Sequence, residues 1–260
     1  MSVLSPAVHR AIVCVDVEGF GDRRRTNPDQ VVARDGLYCA LSRAFARSGM
    51  YWEDCYHEDR GDGALILIPS DVPKSLLVTD VPRELAAALS EHNQAHDPQE
   101  RIRLRLAVHA GEIHHDAHGV AGTAINVAFR LLEAAPLKRA LAGSSGVLAV
   151  IASRWFFEEV IRHTPASGPA SYRRVPVAVK ETRDSAWICR PDDPYPPDEP
   201  VDVEDVADDV LANAIAVTGQ QIAKARYVSW GSRSDCWRRI PHRRRLLLRG
   251  VRRPGLGLPG

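Results

Sequence analysis

Apolar residues occupy both faces of Ala11–Val17 (AIVCVDV), which predicts a buried central strand with a carboxylate near its end. A loop bearing glycine and arginine spans 19–27. Pro28 and Asp29 then open a helix with apolar positions at Val32, Leu37, Leu41 and Phe45, closed by Ser48 and Gly49. WEDCYHED and ALILIP flank Arg60-Gly61-Asp62-Gly63, which predicts a hairpin about a tight Asp-Gly turn. A helix is expected from about Val81 to His92, behind the start signal of Pro82. In IRLRLAVHAGEI the alternation of Ile102, Leu104, Leu106 and Val108 predicts a half-buried strand.

A His-rich turn precedes GTAINVAFRLLEAA, a predicted helix with Ile125, Leu131 and Leu132 on one side. APLKRALAGSSG reads as an extra helix and turn, GVLAVIA as a buried strand, and SRWFFEEVIRH as a helix capped by Ser153. YRRVPVAVKE and SAWIC form a final strand pair. The order β-α-β-β-α-β with appended units predicts an α/β sandwich on a ferredoxin-like core, spanning residues 1–190. PDDPYPPDEP begins a proline-rich acidic linker over 191–202. A helix is expected over 203–228, acidic at its start and basic at its end, and an Arg-rich tail of disordered composition over 229–260.

The chain has 260 residues, 45% of them hydrophobic and 26% charged, enough for one domain with a sizeable core. A net charge of +1 gives no ground for a nucleic-acid partner, and the basic tail reads as solubilising. Five scattered cysteines with no CxxC pair indicate a reduced compartment rather than a disulfide framework or a zinc ribbon. No signal pattern opens the chain, and no apolar run approaches the roughly 18 residues that span a bilayer. A cytoplasmic protein without a membrane partner is expected.

Two carboxylates stand out. Asp16 ends the first buried strand, where an unpaired charge is costly. Asp62 occupies the hairpin tip, and a ferredoxin-like sheet lays that hairpin beside the first strand, so the two can converge. Taken singly, Asp16 is also explained as a cap or turn residue and Asp62 as an Asp-Gly turn residue. Asn126 and Arg130, four apart, share one helix face and can reach one ligand. Taken singly, they read as a buried hydrogen-bonder and a surface arginine.

Together these fragments resemble the class III adenylate/guanylate (nucleotidyl) cyclase catalytic domains of bacterial type. Asp16-Val-Glu-Gly19-Phe20 is similar to that family's first metal motif, and Glu58-Asp-Arg-Gly61-Asp62 to its second. Gly122-Thr-Ala-Ile-Asn126-Val-Ala-Phe-Arg130 is similar to the helix whose Asn orients the ribose and whose Arg stabilises the pentavalent phosphate. Val177-Ala-Val-Lys180-Glu181 is similar to the late strand whose Lys holds the triphosphate. The resemblance implies two Mg2+ or Mn2+ ions per site held at Asp16, Val17 and Asp62, catalysis by Asn126 and Arg130, and substrate binding by Glu58, Phe20, Gly21 and Lys180. It also implies a homodimer in which one subunit brings the metals and the other brings Asn and Arg, with a downstream effector protein as a further partner.

Three departures bear on the substrate. Gly21 stands where the family usually has Thr, the stretch between Arg130 and Val147 is long, and Gly119 replaces the second base-reading side chain. Glu58 stands at the base-reading position that is Glu in guanylate-type and Lys in adenylate-type members. A carboxylate accepts from guanine N1–H and its amine and repels adenine N1, so GTP is the favoured substrate. The alternatives are a pyrimidine (CTP or UTP) cyclase of antiphage signalling, or a non-catalytic cyclase-like module that binds a nucleotide and gates a partner.

Overall fold

The structure, a computed structural model, describes residues 6–196. The helix expected over 203–228, the Arg-rich tail and residues 197–202 of the linker lie outside the described residues. Within them the elements run β1 (Val8–Val17), α1 (Asn27–Arg47), β2 (Tyr56–Asp59), β3 (Gly63–Ile68), α2 (Asp80–Ala95), β4 (Leu104–Asp116), β5 (Gly119–Ala121), α3 (Thr123–Glu133), α4 (Ala135–Ala142), β6 (Leu148–Ser153), α5 (Arg154–Glu159), β7 (Arg173–Val179) and β8 (Thr182–Cys189). The strands form one sheet in the order β2-β3-β1-β4-β6-β8-β7, with β5 paired on β4. Its first four strands, β2-β3-β1-β4, carry the ferredoxin-like order expected of a βαββαβ core.

Two apolar layers cover the sheet. Ala11, Val13, Val15 and Val17 of β1 face one layer with α1, α2 and Phe156 of α5, whereas Ile12 and Cys14 face a second layer with α3 and α4. Both faces of β1, β3 and β6 are therefore buried, as their unbroken apolar runs require. Local chemistry fixes the helix ends. Thr26 and Asp29 close a capping box at the start of α1, with Pro28 in its first turn. The Ser153 hydroxyl accepts from the Phe156 amide to cap α5.

Some boundaries differ from the sequence pattern. The run WEDCYHED gives only the short β2, because Trp52–Asp54 coils into a tight 3-10 turn that lets Trp52 pack edge-on against Phe45 and Tyr38. The strand expected to end at Ile113 continues to Asp116, since His114, His115 and Asp116 pair with β5. At the start of the linker, Asp192 accepts from the Val147 amide and Asp193 from Ser144 and Ser145. The Arg190 guanidinium stacks 4.1 Å from the Tyr195 ring centre.

Helix α3 carries two of the expected catalytic residues, and glycines set its seat. A methyl placed on Gly111 of β4 would lie 2.6 Å from Cβ of Ala124 in the first turn of α3. A methyl on Gly122 would lie 2.8 Å from the Glu112 carbonyl oxygen. Neither neighbour can rotate away, since one is a backbone atom and the other a Cβ. Gly111→Ala should therefore push α3 off the sheet and cost about 1–3 kcal/mol by chemical denaturation. Gly21→Ala, which meets no atom within 4 Å, should stay within about 0.5 kcal/mol of the parent. Equal stabilities for the two variants would contradict this seat for α3.

Candidate functional site

Asp16 follows Ile12 and Cys14 along the face of β1 that turns toward α3 and α4. The register sets it opposite Gly63 of β3 on one side and Arg105 of β4 on the other. Arg105 donates Nε to Oδ1 and Nη2 to Oδ2 of Asp16, both at 2.8 Å, in a bidentate pair of largely buried side chains. Burial nevertheless raises the Asp16 pKa to about 6, against the pull of Arg105 and with a further push from the charge of Asp62. Asp62 is exposed in the β2–β3 turn, and its carbonyl accepts from the Val17 amide at 2.8 Å. The structure thus brings the two expected carboxylates within electrostatic reach, beside the Val17 backbone.

Past Val17 the chain turns through Gly19, whose φ of +63° suits glycine, into half-buried Phe20 and exposed Gly21. The Phe20 carbonyl accepts from the Gln30 side chain at 3.2 Å, which fixes the loop to α1. The β2–β3 tip is fixed to the same helix, because Asp59 accepts from Tyr38 at 2.9 Å and pairs with Arg34.

Glu58 on β2 points toward β5. A methyl on Gly119 would lie 2.7 Å from Glu58 Oε1 and 3.3 Å from the Tyr56 hydroxyl, so the missing side chain at 119 leaves space those two groups fill. Tyr56 donates its hydroxyl to Glu58 Oε1 and Arg60 donates Nη2 to Oε2, each at 2.5 Å. The bond to Glu58 raises the Tyr56 pKa to about 12. Arg60 also lies 5.2 Å over the ring of Phe129 on α3.

On α3, Asn126 is exposed and its side chain makes no hydrogen bond among the described residues, while Arg130 one turn on is largely buried. Arg130 Nε lies 3.4 Å from the Glu181 carboxylate, too poorly aligned for a hydrogen bond, and the buried nitrogen has no other partner. Glu181 and Lys180 form the two-residue β7–β8 turn, where Lys180 takes a φ of +51°. A lysine there carries backbone strain that glycine would avoid. Lys138 and Lys180 both line a cavity of about 350 Å3 between the start of α4 and this turn.

Two groups emerge within one chain. Asp16, Val17, Phe20, Gly21 and Asp62 cluster around the ends of β1 and the β2–β3 turn. Asn126, Arg130 and Lys180 lie on α3 and the β7–β8 turn beside it, while Glu58 stands on β2 facing β5. No hydrogen bond or ion pair joins the two groups among the described residues. Sequence reasoning missed Arg105, Arg60, Tyr56 and Lys138, whose charge also acts on Asp16. The signal for Arg105 was present, since an arginine inside an apolar strand needs a carboxylate partner. His114, His115, Asp116 and His118 gather no metal-binding geometry among the described residues, and His115 instead packs edge-on against Tyr56.

Comparison of the sequence with known families and with curated proteins found no match. Solved structures do match in fold. The guanylyl cyclase Cya2 aligns over 77% of this chain and 98% of its own, with a TM-score of 0.51 and 18% identity. An adenylate/guanylate cyclase/hydrolase from Silicibacter pomeroyi aligns over 72% and 99%, with a TM-score of 0.51 and 21% identity. A bacterial light-regulated adenylyl cyclase aligns over 75% of this chain and 55% of its own, with a TM-score of 0.51 and 14% identity. The mixed sheet and its helices are thus the fold of cyclase catalytic domains. Among the described residues no helix is long and apolar enough to cross a membrane.

Asp16 makes stability depend on pH. Its folded pKa of about 6 stands above the ordinary 3.8, so folded chain holds the proton more tightly than unfolded chain. That contribution is complete below the unfolded value and is lost as pH rises through the folded one. In metal-free protein, Asp16→Asn should therefore gain on the parent by on the order of 2 kcal/mol between pH 4 and pH 7.5. Urea denaturation at both pH values measures the gap, and a constant gap would show that Asp16 does not titrate as described.

Proposed function

We propose that the chain is a nucleotidyl cyclase that converts a nucleoside triphosphate, GTP by preference, to a 3′,5′-cyclic monophosphate and pyrophosphate. The observation that carries this is the convergence of Asp16 and Asp62 at the end of a central strand, on the fold of cyclase catalytic domains. The donors there are carboxylate and backbone oxygens, which suit Mg2+ or Mn2+, ions that need only one or two carboxylates when phosphates complete the shell. The mutual repulsion of the two carboxylates asks for a cation between them. When bound, two such ions neutralise phosphate charge and favour ionisation of the 3′-hydroxyl.

The chain's own residues do the rest. Arg105 holds the Asp16 carboxylate in a fixed orientation until ligand charge replaces it. Asn126 orients the ribose so that the 3′-oxygen faces the α-phosphorus. Arg130, largely buried and with no hydrogen bond on its Nε, meets the charge that grows on the phosphoryl oxygens as the new P–O bond forms. Lys180 offers a point charge to the departing pyrophosphate. The ion pair of Arg130 with Glu181 holds that guanidinium in place before substrate arrives.

The separation of the two carboxylates from α3 within one chain supports a homodimer with shared sites, each taking its carboxylates from one subunit and Asn126 and Arg130 from the other. Incubating the protein with each of four nucleoside triphosphates and Mn2+ tests the reaction, with cyclic monophosphate and pyrophosphate as readouts. Absence of both from all four would refute it.

Asp16→Ala and Asp62→Ala should each reduce turnover by roughly a hundredfold or more with the far-ultraviolet dichroism unchanged. Full activity in either would remove the metal assignment. Mixing Asp62→Ala with Arg130→Ala, each inactive alone, should restore about a quarter of parental activity, because half the dimers regain one intact site of two. No recovery under demonstrated subunit exchange would refute the shared site.

A further inference from the structure

We infer that the base is read by the Glu58–Arg60 ion pair, with Tyr56 limiting what Glu58 can accept, rather than by Glu58 alone. This deepens the cyclase reading and rests on it. A free carboxylate at position 58 would accept from guanine N1–H and from the exocyclic amine at once. Here both oxygens are already engaged, Oε1 by the Tyr56 hydroxyl and Oε2 by Arg60, each at 2.5 Å. Each Glu58 oxygen thus keeps one lone pair beside a competing donor, so a single N–H is still accommodated while acceptance from both guanine N–H groups at once is crowded.

Arg60 supplies what the carboxylate cannot. A guanidinium offers five N–H donors in a plane, so donors remain after Arg60 has bonded to Glu58. Arg60 also stands beside the helix proposed to hold ribose and phosphate, because its guanidinium lies over Phe129, the residue before Arg130 on α3. Donor and acceptor thus stand side by side, with Arg60 facing a ring carbonyl and Glu58 facing the adjacent ring N–H. The O6 and N1–H of guanine present that complement, and the N2 amine is left unread.

The space at Gly119 completes the case. Its φ of +133° favours glycine, and the volume of a side chain there is taken by the Glu58 carboxylate and the Tyr56 hydroxyl. His115 packs edge-on against Tyr56 with ring centres 5.5 Å apart, which holds the phenol in place. The second reader missing from position 119 is therefore replaced by Arg60, the first residue after β2.

Inosine triphosphate decides the matter, because it keeps O6 and N1–H and lacks only the N2 amine. With the full chain, kcat/KM for GTP and for inosine triphosphate should agree within about threefold, whereas a lost hydrogen bond from the amine to Glu58 would cost roughly tenfold or more. Arg60→Met should lower both substrates together by about tenfold or more. Tyr56→Phe frees one Glu58 oxygen and should shift the ratio toward GTP, a change that a merely structural tyrosine would not produce. Inosine triphosphate used tenfold less well by the parent, or Arg60→Met using GTP within twofold of the parent, would overturn the inference.

If no triphosphate is cyclised, the cyclase reading fails by that fact, and equilibrium dialysis still tests the pair. Equal retention of GTP and inosine triphosphate by the parent, lost in Arg60→Met, supports it. Retention unaffected by Arg60→Met, or no retention at all, overturns it.

Discussion

The Asp16–Arg105 ion pair is the constraint around which the site is arranged. Asp16 takes the next place on a face of β1 that Ile12 and Cys14 bury in the second apolar layer. A carboxylate there is expensive, and one arginine on the adjoining strand offsets only part of the cost, since the pKa stays raised to about 6. Packing alone would favour an apolar residue at both positions. The pair persists at the end of β1 and beside the β2–β3 turn, where a further charge can reach it. That local conflict between stability and placement is what binding sites show.

Rigid neighbours hold the pair in register. Asp16 is set between Gly63 and Arg105 by antiparallel pairing on both sides of β1, so a slip of one residue would turn its carboxylate to the α1–α2 face. The loop after β1 and the tip of the β2–β3 hairpin are both tied to α1, through Gln30 to the Phe20 carbonyl and through Arg34 and Tyr38 to Asp59. Arg103 carries the same order across the sheet, donating to Glu18 at 2.9 Å and to the Ser144 carbonyl at 2.8 Å. The loop after β1 is thereby fixed to the turn that follows α4.

Most of the fold was legible in local pattern because β1, α1, β4 and β6 bury their faces with regular periods. The 3-10 turn at Trp52–Asp54 was not, because Trp52 packs against Phe45 and Tyr38, contacts between separate segments that no local period records. At the site, Asp16, Asp62, Asn126 and Arg130 could be picked out by residue type and spacing. Arg105 could not be joined to Asp16 without the register of β4 on β1, 89 residues apart in sequence. Arg60 stood in plain view two residues from Glu58, yet its direction is set by Phe129 on a distant helix. Residue type marked the candidates, and tertiary register decided their partners.

Each charged candidate among Asp16, Arg130 and Glu58 already has a partner of opposite sign within the chain: Asp16 with Arg105, Arg130 with Glu181, Glu58 with Arg60. The pairs differ in burial and so in how readily they exchange. Glu181 is mostly exposed, so water and salt screen its hold on Arg130, and in the proposed reaction a phosphate would displace it at little cost. Asp16 and Arg105 are both largely buried, and stripping one partner from such a pair costs about 3–5 kcal/mol unless new charge arrives with it. A divalent cation carrying a triphosphate would bring charge of both signs, so that each member of the Asp16–Arg105 pair could be compensated. A lone phosphate or a lone monovalent ion meets only one of the two demands. In the proposed reaction the buried pair therefore favours the metal-bound nucleotide over either component alone, and the isolated chain keeps its reactive charges neutralised until that ligand enters.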